Sequence, residues 1–404
     1  MATLPAPRFA NTTARYGGVA KTFHWLTALL VLTAFPLGLI ANDLPYDTSA
    51  ALAAKATMFS MHKTVGVMAF AVGLARIAWA FTQPRPALLN AHKPAEARLA
   101  DLVHWLLYSS LVIVPLSGWL GHAASSGFAP IWWPFGQTLP FVPQSDAVAA
   151  FFGAWHWVFT KVLGLSVILH IAGAIKHHVI DKDATLRRML PGVCELPQDL
   201  QSVLLTRGPL LAAAAIWAVA LTGGTIMGLL QSDAAAPAPE LAAVQSEWVV
   251  QDGALSITVQ QLGTAVTGQF ADWTADITFD PDANPLGQVA VTIAIASLSL
   301  GGVTPQALEP EFFNAAAFQT ATFSGPIIAD GDAYAVDGTL ILVGQSLPVR
   351  LPFTLELAGD RATATGQVTL DRRDFGMGPS YPDESGVGFS VVVDMTLTAQ
   401  RASQ

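Results

Sequence analysis

"AWHWVFTKVLGLSVILHIAGAIKHHV", residues 154–179, is apolar enough to lie in a lipid bilayer, yet it carries four histidines: His156, His170, His177 and His178. Ionisable side chains are costly in hydrocarbon, so each one marks a candidate functional site. At about 100° per residue, fourteen residues bring a helix back to nearly the same face after roughly 21 Å of rise. His156 and His170 are separated by that interval, and His177 follows seven residues later. One helix face therefore offers imidazoles at two membrane depths.

A spanning helix needs about 20 apolar residues. Five segments qualify, near residues 21–41, 62–82, 102–122, 154–180 and 208–230. A cleaved signal peptide is disfavoured for the first, because further spans follow and no small-residue cleavage site stands after it. The fifth has no histidine or charge and reads as a tether. Arg8, Arg15 and Lys21 precede the first span, Arg85, Lys93 and Arg98 lie between the second and third, and Lys182, Arg187, Arg188 and Arg207 lie between the fourth and fifth. The alternate loops hold only Lys55. The positive-inside rule then predicts a cytoplasmic N-terminus and, after an odd number of spans, an external C-terminal region.

This topology supplies partners for the histidines. His24, in "FHWL", enters from the inner side, and His62, in "SMHKTVGV", enters from the outer side. The expected pairs are His62 with His156 outside and His24 with His170 inside. Two axial imidazoles fill both free positions of a low-spin electron-transfer haem. The single Cys194 and the lack of a CxxCH motif mean that any haem is held non-covalently. Zinc or copper fits less well, because the two sites lie some 20 Å apart with few carboxylates or thiols near them.

Other residues add to this pattern. Gly66 and Gly164 leave room for a porphyrin face or serve helix packing. Arg76, fourteen residues after His62, faces the inner pair, where it meets a propionate or a quinone carbonyl, or snorkels to the interface. His177 and His178 at the inner mouth read either as a solvated pair or as proton donors to a reduced quinone. Lys161 and Lys63 near the outer pair attract a small anion or contact propionates. His104 and His122, at the two ends of the third helix, are expected to be interfacial, and His92 lies in a loop.

Beyond the fifth span, "QSDAAAPAPELAAVQS" suits a semi-extended linker. Short β-branched segments bounded by Gly, Asp or Pro follow, from "ALSITVQQ" to "GFSVVVDMTLTAQ". About eight strands in roughly 155 residues suggest an all-β barrel or sandwich. Phe270, Trp273, Phe279, Phe312, Phe313, Phe318 and Phe323 offer aromatic surface either to a hydrophobic ligand or to a packed core.

Composition agrees. The 404 residues are 52% hydrophobic and 12% charged, and the mean hydropathy is +0.47. Residues 1–231 hold 15 Lys/Arg against 9 Asp/Glu, a net +6, and residues 232–404 hold 5 against 20, a net −15. An acidic second half with no basic surface argues against nucleic-acid binding.

"RYGGVAKTFHWL", "MHKTVGV", "HWLLYSSLVIVPLSGW", "HWVFTKVLGLSVILHIAGAIKHH" and "DATLRRMLP" resemble, in order, the bacterial cytochrome b561 family of four-helix di-haem membrane proteins. The resemblance covers about residues 15–192 and implies two haem b groups ligated by His24, His62, His156 and His170. It also implies an inner quinone site near His177 and Arg76. "TAVTGQFADWTADITFDPD", "ALEPEFFNAAAFQTATFSG", "GTLILVGQSLPVRLPFTL" and "RRDFGMG" resemble the YceI-like domain, a lipocalin-like barrel that holds a polyisoprenoid. "QDGALSITVQQ" departs from that family at positions where a histidine and a serine are usual.

The expected architecture is a membrane all-α haem bundle over 1–192, a fifth tether helix over 193–231, a linker over 232–246 and a soluble antiparallel barrel over 247–404. The resemblance implies superoxide:ubiquinone oxidoreductase chemistry in the bacterial inner membrane, with the barrel in the periplasm. There Phe270, Trp273, Phe313 and Phe323 would contact ubiquinone or another isoprenoid, and Lys161 would assist superoxide. Rival expectations are quinol-dependent reduction of a periplasmic redox partner, or an isoprenoid carrier barrel anchored by a cytochrome.

Overall fold

The computed structural model describes residues 9–89, 92–125, 128–192, 207–233, 241–244, 246–331 and 333–402. Cys194 and most of the expected linker lie outside them.

Five long helices come first: α1 (Gly18–Asp43), α2 (Ser49–Phe81), α3 (Pro94–Ala124), α4 (Asp146–Lys176) and α5 (Gly208–Asp233). All five are long and apolar enough to span a bilayer. α2 starts thirteen residues earlier than the apolar run suggests. Residues 49–61 are rich in alanine, a strong helix former that contributes little to a membrane signal, and the Thr48 hydroxyl caps the start by accepting from the Ala51 amide at 3.2 Å. α4 likewise starts at Asp146 and ends in a π-helical turn, His177–Asp181. α5 does more than tether. It packs along α3 and α4, with the Trp217 indole donating to Ser109 at 2.7 Å and the Trp155 indole to Thr225 at 3.2 Å.

Among the described residues the C-terminal half forms ten strands, β1 (Trp248–Gln261), β2 (Thr264–Phe270), β3 (Trp273–Phe279), β4 (Gly287–Ala294), β5 (Leu298–Ser299), β6 (Thr320–Asp330), β7 (Ala333–Leu342), β8 (Gln345–Ala358), β9 (Arg361–Asp371) and β10 (Val387–Arg401), joined in one antiparallel sheet in the order β3-β4-β6-β7-β8-β9-β10-β1-β2-β5. β10, with 15 residues, is the longest of them, and β1 and β8 have 14 each. The apolar, β-branched run "VAVTIAIASLSL", residues 289–300, is not one strand: β4 ends in a 3-10 turn at Ile295–Ser297, leaving only the two-residue β5. β1 turns into β2 (Thr264–Phe270) through Leu262 and Gly263, at φ +49° and +75°. That is the two-residue geometry that matches strand twist. The sheet curls so that its β3 edge meets β1: the Ser246 hydroxyl donates to Ile277 O and accepts from Ile277 N. Gly253 is bare where a Cβ would lie 2.8 Å from the Trp273 ring. The result is the expected lipocalin-like barrel around an apolar lumen.

One end of the barrel is seated on the helix ends formed by the α1–α2 connection and the start of α4. Asp146, in the first turn of α4, accepts from the Ser299 hydroxyl at 2.7 Å and the Thr304 hydroxyl at 3.0 Å. Tyr46, between α1 and α2, donates to Glu309 at 2.6 Å. Leu52 of α2, only 1% exposed, belongs to the hydrophobic core of the barrel. Burying such a side chain contributes about 1.5–3 kcal/mol to the docked arrangement.

Candidate functional site

The four paired histidines come together at two levels. His62 and His156 have ring centroids 6.1 Å apart, and His24 and His170 have theirs 5.9 Å apart. Two imidazoles bound to one metal through nitrogens at about 2 Å hold their centroids roughly 6 Å apart.

The outer pair is built the same way on both sides. His62 Nδ1 donates to Ala34 O of α1 at 2.8 Å, and His156 Nδ1 donates to Val114 O of α3 at 3.0 Å. In each case the carbonyl lies four residues before a glycine, Gly38 or Gly118, whose missing side chain leaves room for the ring. A Cβ would lie 2.8 Å from His62 or 2.9 Å from His156. Each glycine also follows a helix-interior proline, Pro36 or Pro115, where the helical ladder loses a donor. With Nδ1–H engaged by a carbonyl, Nε2 keeps its lone pair for a metal. Gly66, one turn beyond His62, faces open space. Donor set, tautomer and space fit a bis-histidine haem here. Gly164, by contrast, is taken up by the Phe35 ring, 3.1 Å from where a Cβ would stand.

The inner level has three imidazoles. The third is His104, expected at the interface, whose ring centroid lies 5.3 Å from that of His170. The available signal was depth, since α1 and α3 run in the same direction and His24 and His104 both lie in the N-terminal half of their helices. Arg76 reaches this group, with a guanidinium nitrogen 3.4 Å from His24 Nδ1 and its carbon 5.1 Å from the Tyr108 ring centroid.

At the inner mouth, His177 Nδ1 lies 2.7 Å from Asp183 and 3.2 Å from Asp181. Lys93 and Lys176 bind Asp181 at 2.9 and 3.0 Å, and Lys176 also meets Glu96 at 2.5 Å. Burial pushes the Asp183 carboxyl up, but hydrogen bonds from Thr185 and His177 outweigh it and hold the group below the usual carboxylate range. His178 is exposed.

The expected outer cations are placed differently. Lys161 is exposed, with Nζ 4.5 Å from the Trp157 ring centroid. Five residues beyond His156, it stands about 140° around the helix, facing away from the bundle interior. Lys63 is turned into structure, donating to Phe128 O at 2.9 Å, Ala129 O at 2.8 Å and His122 Nδ1 at 3.2 Å. His122, in the last turn of α3, is 8% exposed. It donates from Nε2 to Gln137 at 2.9 Å and ties the outer loop to the bundle.

The barrel lumen, about 210 Å³, has an apolar wall that includes Phe270, Trp273, Phe279, Phe313 and Phe323. Phe312 lines a second chamber of about 60 Å³ beside it. Phe318 lies outside both, against Gly344.

Residues 15–192 match the prokaryotic cytochrome b561 family, and residues 248–399 match the YceI-like domain. "Cytochrome b561 homolog 2" of Escherichia coli (strain K12) is 35% identical over 185 residues, which are 45% of this chain and 94% of that protein. "Probable superoxide oxidase CybB" of Yersinia pestis is 25% identical over 178 residues, 44% of this chain and 96% of its own length. Among solved structures, Burkholderia cenocepacia BcnA is 29% identical over 37% of this chain and 96% of its own, with a TM-score of 0.35. The chain belongs to the prokaryotic cytochrome b561 family of membrane electron-transfer proteins and carries a YceI-like domain after its fifth helix.

Proposed function

We propose that the protein is a superoxide:quinone oxidoreductase of the bacterial inner membrane, with His62 and His156 holding an outer haem and His24 and His170 an inner one. The observation that carries this reading is the pair of imidazole couples at about 6 Å on two levels of α4. Bound haem would supply one-electron carriers across the bilayer. The relative named as a probable superoxide oxidase, although distant, favours superoxide as the outer donor.

Two superoxide ions would leave as two dioxygen molecules, and their two electrons with two protons from the inner side would convert one quinone to quinol. Arg76, beside His24, is the cation available to orient a quinone carbonyl or a propionate. His177 contributes at a different atom: Nδ1 is held by Asp181 and Asp183, which leaves Nε2 to exchange the proton. The barrel, whose apolar lumen suits a polyisoprenoid tail, would hold a quinone or a related lipid on the periplasmic side.

Stopped-flow spectroscopy of the purified protein tests this directly. Superoxide should reduce the haems rapidly, and added quinone should reoxidise them. Failure of superoxide to reduce them, with rapid reduction by quinol, would reverse the direction and replace the donor.

A further inference from the structure

A chain of hydrogen bonds runs from the helical region into the barrel and ends on an atom with no partner. Tyr381, 1% exposed, donates its hydroxyl proton to the Tyr46 carbonyl, in the connection between α1 and α2. Gln306, on the short α6 (Thr304–Leu308), donates from Nε2 to the Tyr381 oxygen at 2.7 Å. Gln261, at the end of β1, donates from Nε2 to Gln306 Oε1 at 3.2 Å. Gln261 is 4% exposed, and its Oε1 has no hydrogen-bond partner among the described residues.

The direction of this chain is fixed at its first link. A backbone carbonyl only accepts, so Tyr381 must donate to it and can only accept from Gln306. That orients the Gln306 amide, which in turn orients the Gln261 amide. Both amides take the single orientation that satisfies the chain. Burial pushes the Tyr381 phenol up to about 12, so the donor stays protonated at physiological pH. The loose end is therefore an acceptor, and a buried acceptor without a partner is costly.

Gln261 and Gln306 line the second chamber of the barrel, which shares Ile257, Phe313, Arg372, Met377 and Val391 with the main lumen. Among the described residues Arg372 is the one cation on that shared wall, and it is fully engaged. Nε donates to Gly388 O, one terminal nitrogen to Met377 O and Gly378 O, and the other to Tyr381 O and Val387 O. A guanidinium has five N–H donors, so none is left for a phosphate.

We infer that the barrel selects an isoprenoid lipid whose neutral head group donates a hydroxyl hydrogen bond to Gln261 Oε1, with the head toward the helices and the tail in the main lumen. The inference rests on the reading of the barrel as an isoprenoid-binding domain. A prenol and a hydroquinone share this donor. A quinone offers only acceptors, and a pyrophosphate brings a charge that nothing here neutralises.

Binding to the full-length protein in nanodiscs tests this with farnesol, farnesyl methyl ether and farnesyl pyrophosphate, which have the same tail and are not redox-active. Farnesol should bind about tenfold more tightly than the ether, the order expected for one hydrogen bond to a buried acceptor, and the pyrophosphate should bind no better than the ether. Gln261→Met, which keeps the volume and removes the amide, and Tyr381→Phe, which frees the chain to reverse, should each abolish the preference. Equal binding of farnesol and ether, or preference for the pyrophosphate, overturns the inference and leaves the isoprenoid reading standing. Binding of none of the three overturns both. Displacement of labelled farnesol by decylubiquinol more effectively than by decylubiquinone would identify a hydroquinone as the source of the hydroxyl, and equal displacement would identify a prenol.

Discussion

Gly38 and His62 fit together only because the glycine has no side chain: a Cβ on Gly38 would lie 2.8 Å from His62 Cε1 and 2.9 Å from Nδ1. The same relationship joins Gly118 to His156. Each imidazole is pressed onto a neighbouring helix, donates to a carbonyl there, and turns its other nitrogen inward. A larger residue would remove both the space and the orientation.

On the proposed two-haem assignment, Gly38→Val should therefore cost the outer haem and spare the inner one, halving the haem bound per chain. Pyridine haemochrome quantitation against protein concentration measures this, alongside His156→Ala, which should give the same loss. Disappearance of both haems from a folded protein would sink the assignment of two independent levels.

Arg76 lies beside His24 of the inner pair and over the Tyr108 ring. Arg76→Gln should slow haem reoxidation by quinone about tenfold, the order of one charge-assisted hydrogen bond. Reduction of the outer haem by superoxide should proceed unchanged. Stopped-flow traces for the two half-reactions separate these effects, and slowing of both would place Arg76 outside the quinone step.

Asp146 holds two barrel hydroxyls, those of Ser299 and Thr304. Asp146→Ala leaves both without that acceptor and should weaken docking by about 1–3 kcal/mol. Hydrogen exchange in residues 299–308 of the full-length protein should speed up accordingly. Unchanged protection there would show that the contact contributes nothing to docking.

The raised pKa of Tyr381 makes a further demand. Burial favours the protonated phenol in the folded protein, so its contribution is fully present below the ordinary value near 10 and is lost as pH rises toward about 12. Barrel stability in wild type should fall across that alkaline window, with a shallower slope in Tyr381→Phe. Equal slopes in both proteins would remove Tyr381 as the responsible group.

Much of this architecture is legible in the chain. Hydropathy alone delimits the five spans, because a bilayer imposes one length on any helix that crosses it. The interval from His156 to His170 reports two depths because helical rise is constant. Alternation and turn residues separate the strands of the barrel. Errors arose where the signal was weak in kind: the alanine-rich start of α2 is helical without being strongly apolar, and the interruption at Ile295–Ser297 has no proline or glycine to announce it.

The sequence by itself determined what depends on one segment at a time: the spans, the pairing of histidines by depth, and the β character of residues 248–401. Only the tertiary structure decided what depends on direction around a helix and on neighbours from distant segments. It turned Lys161 outward and bound Lys63 into the outer loop, although both stand near outer histidines in the sequence. It brought His104 beside His170, and it set the Tyr46 carbonyl under Tyr381, 335 residues away along the chain. Spacing fixes where along a helix a side chain stands, whereas the partner it meets is fixed by how separate elements pack.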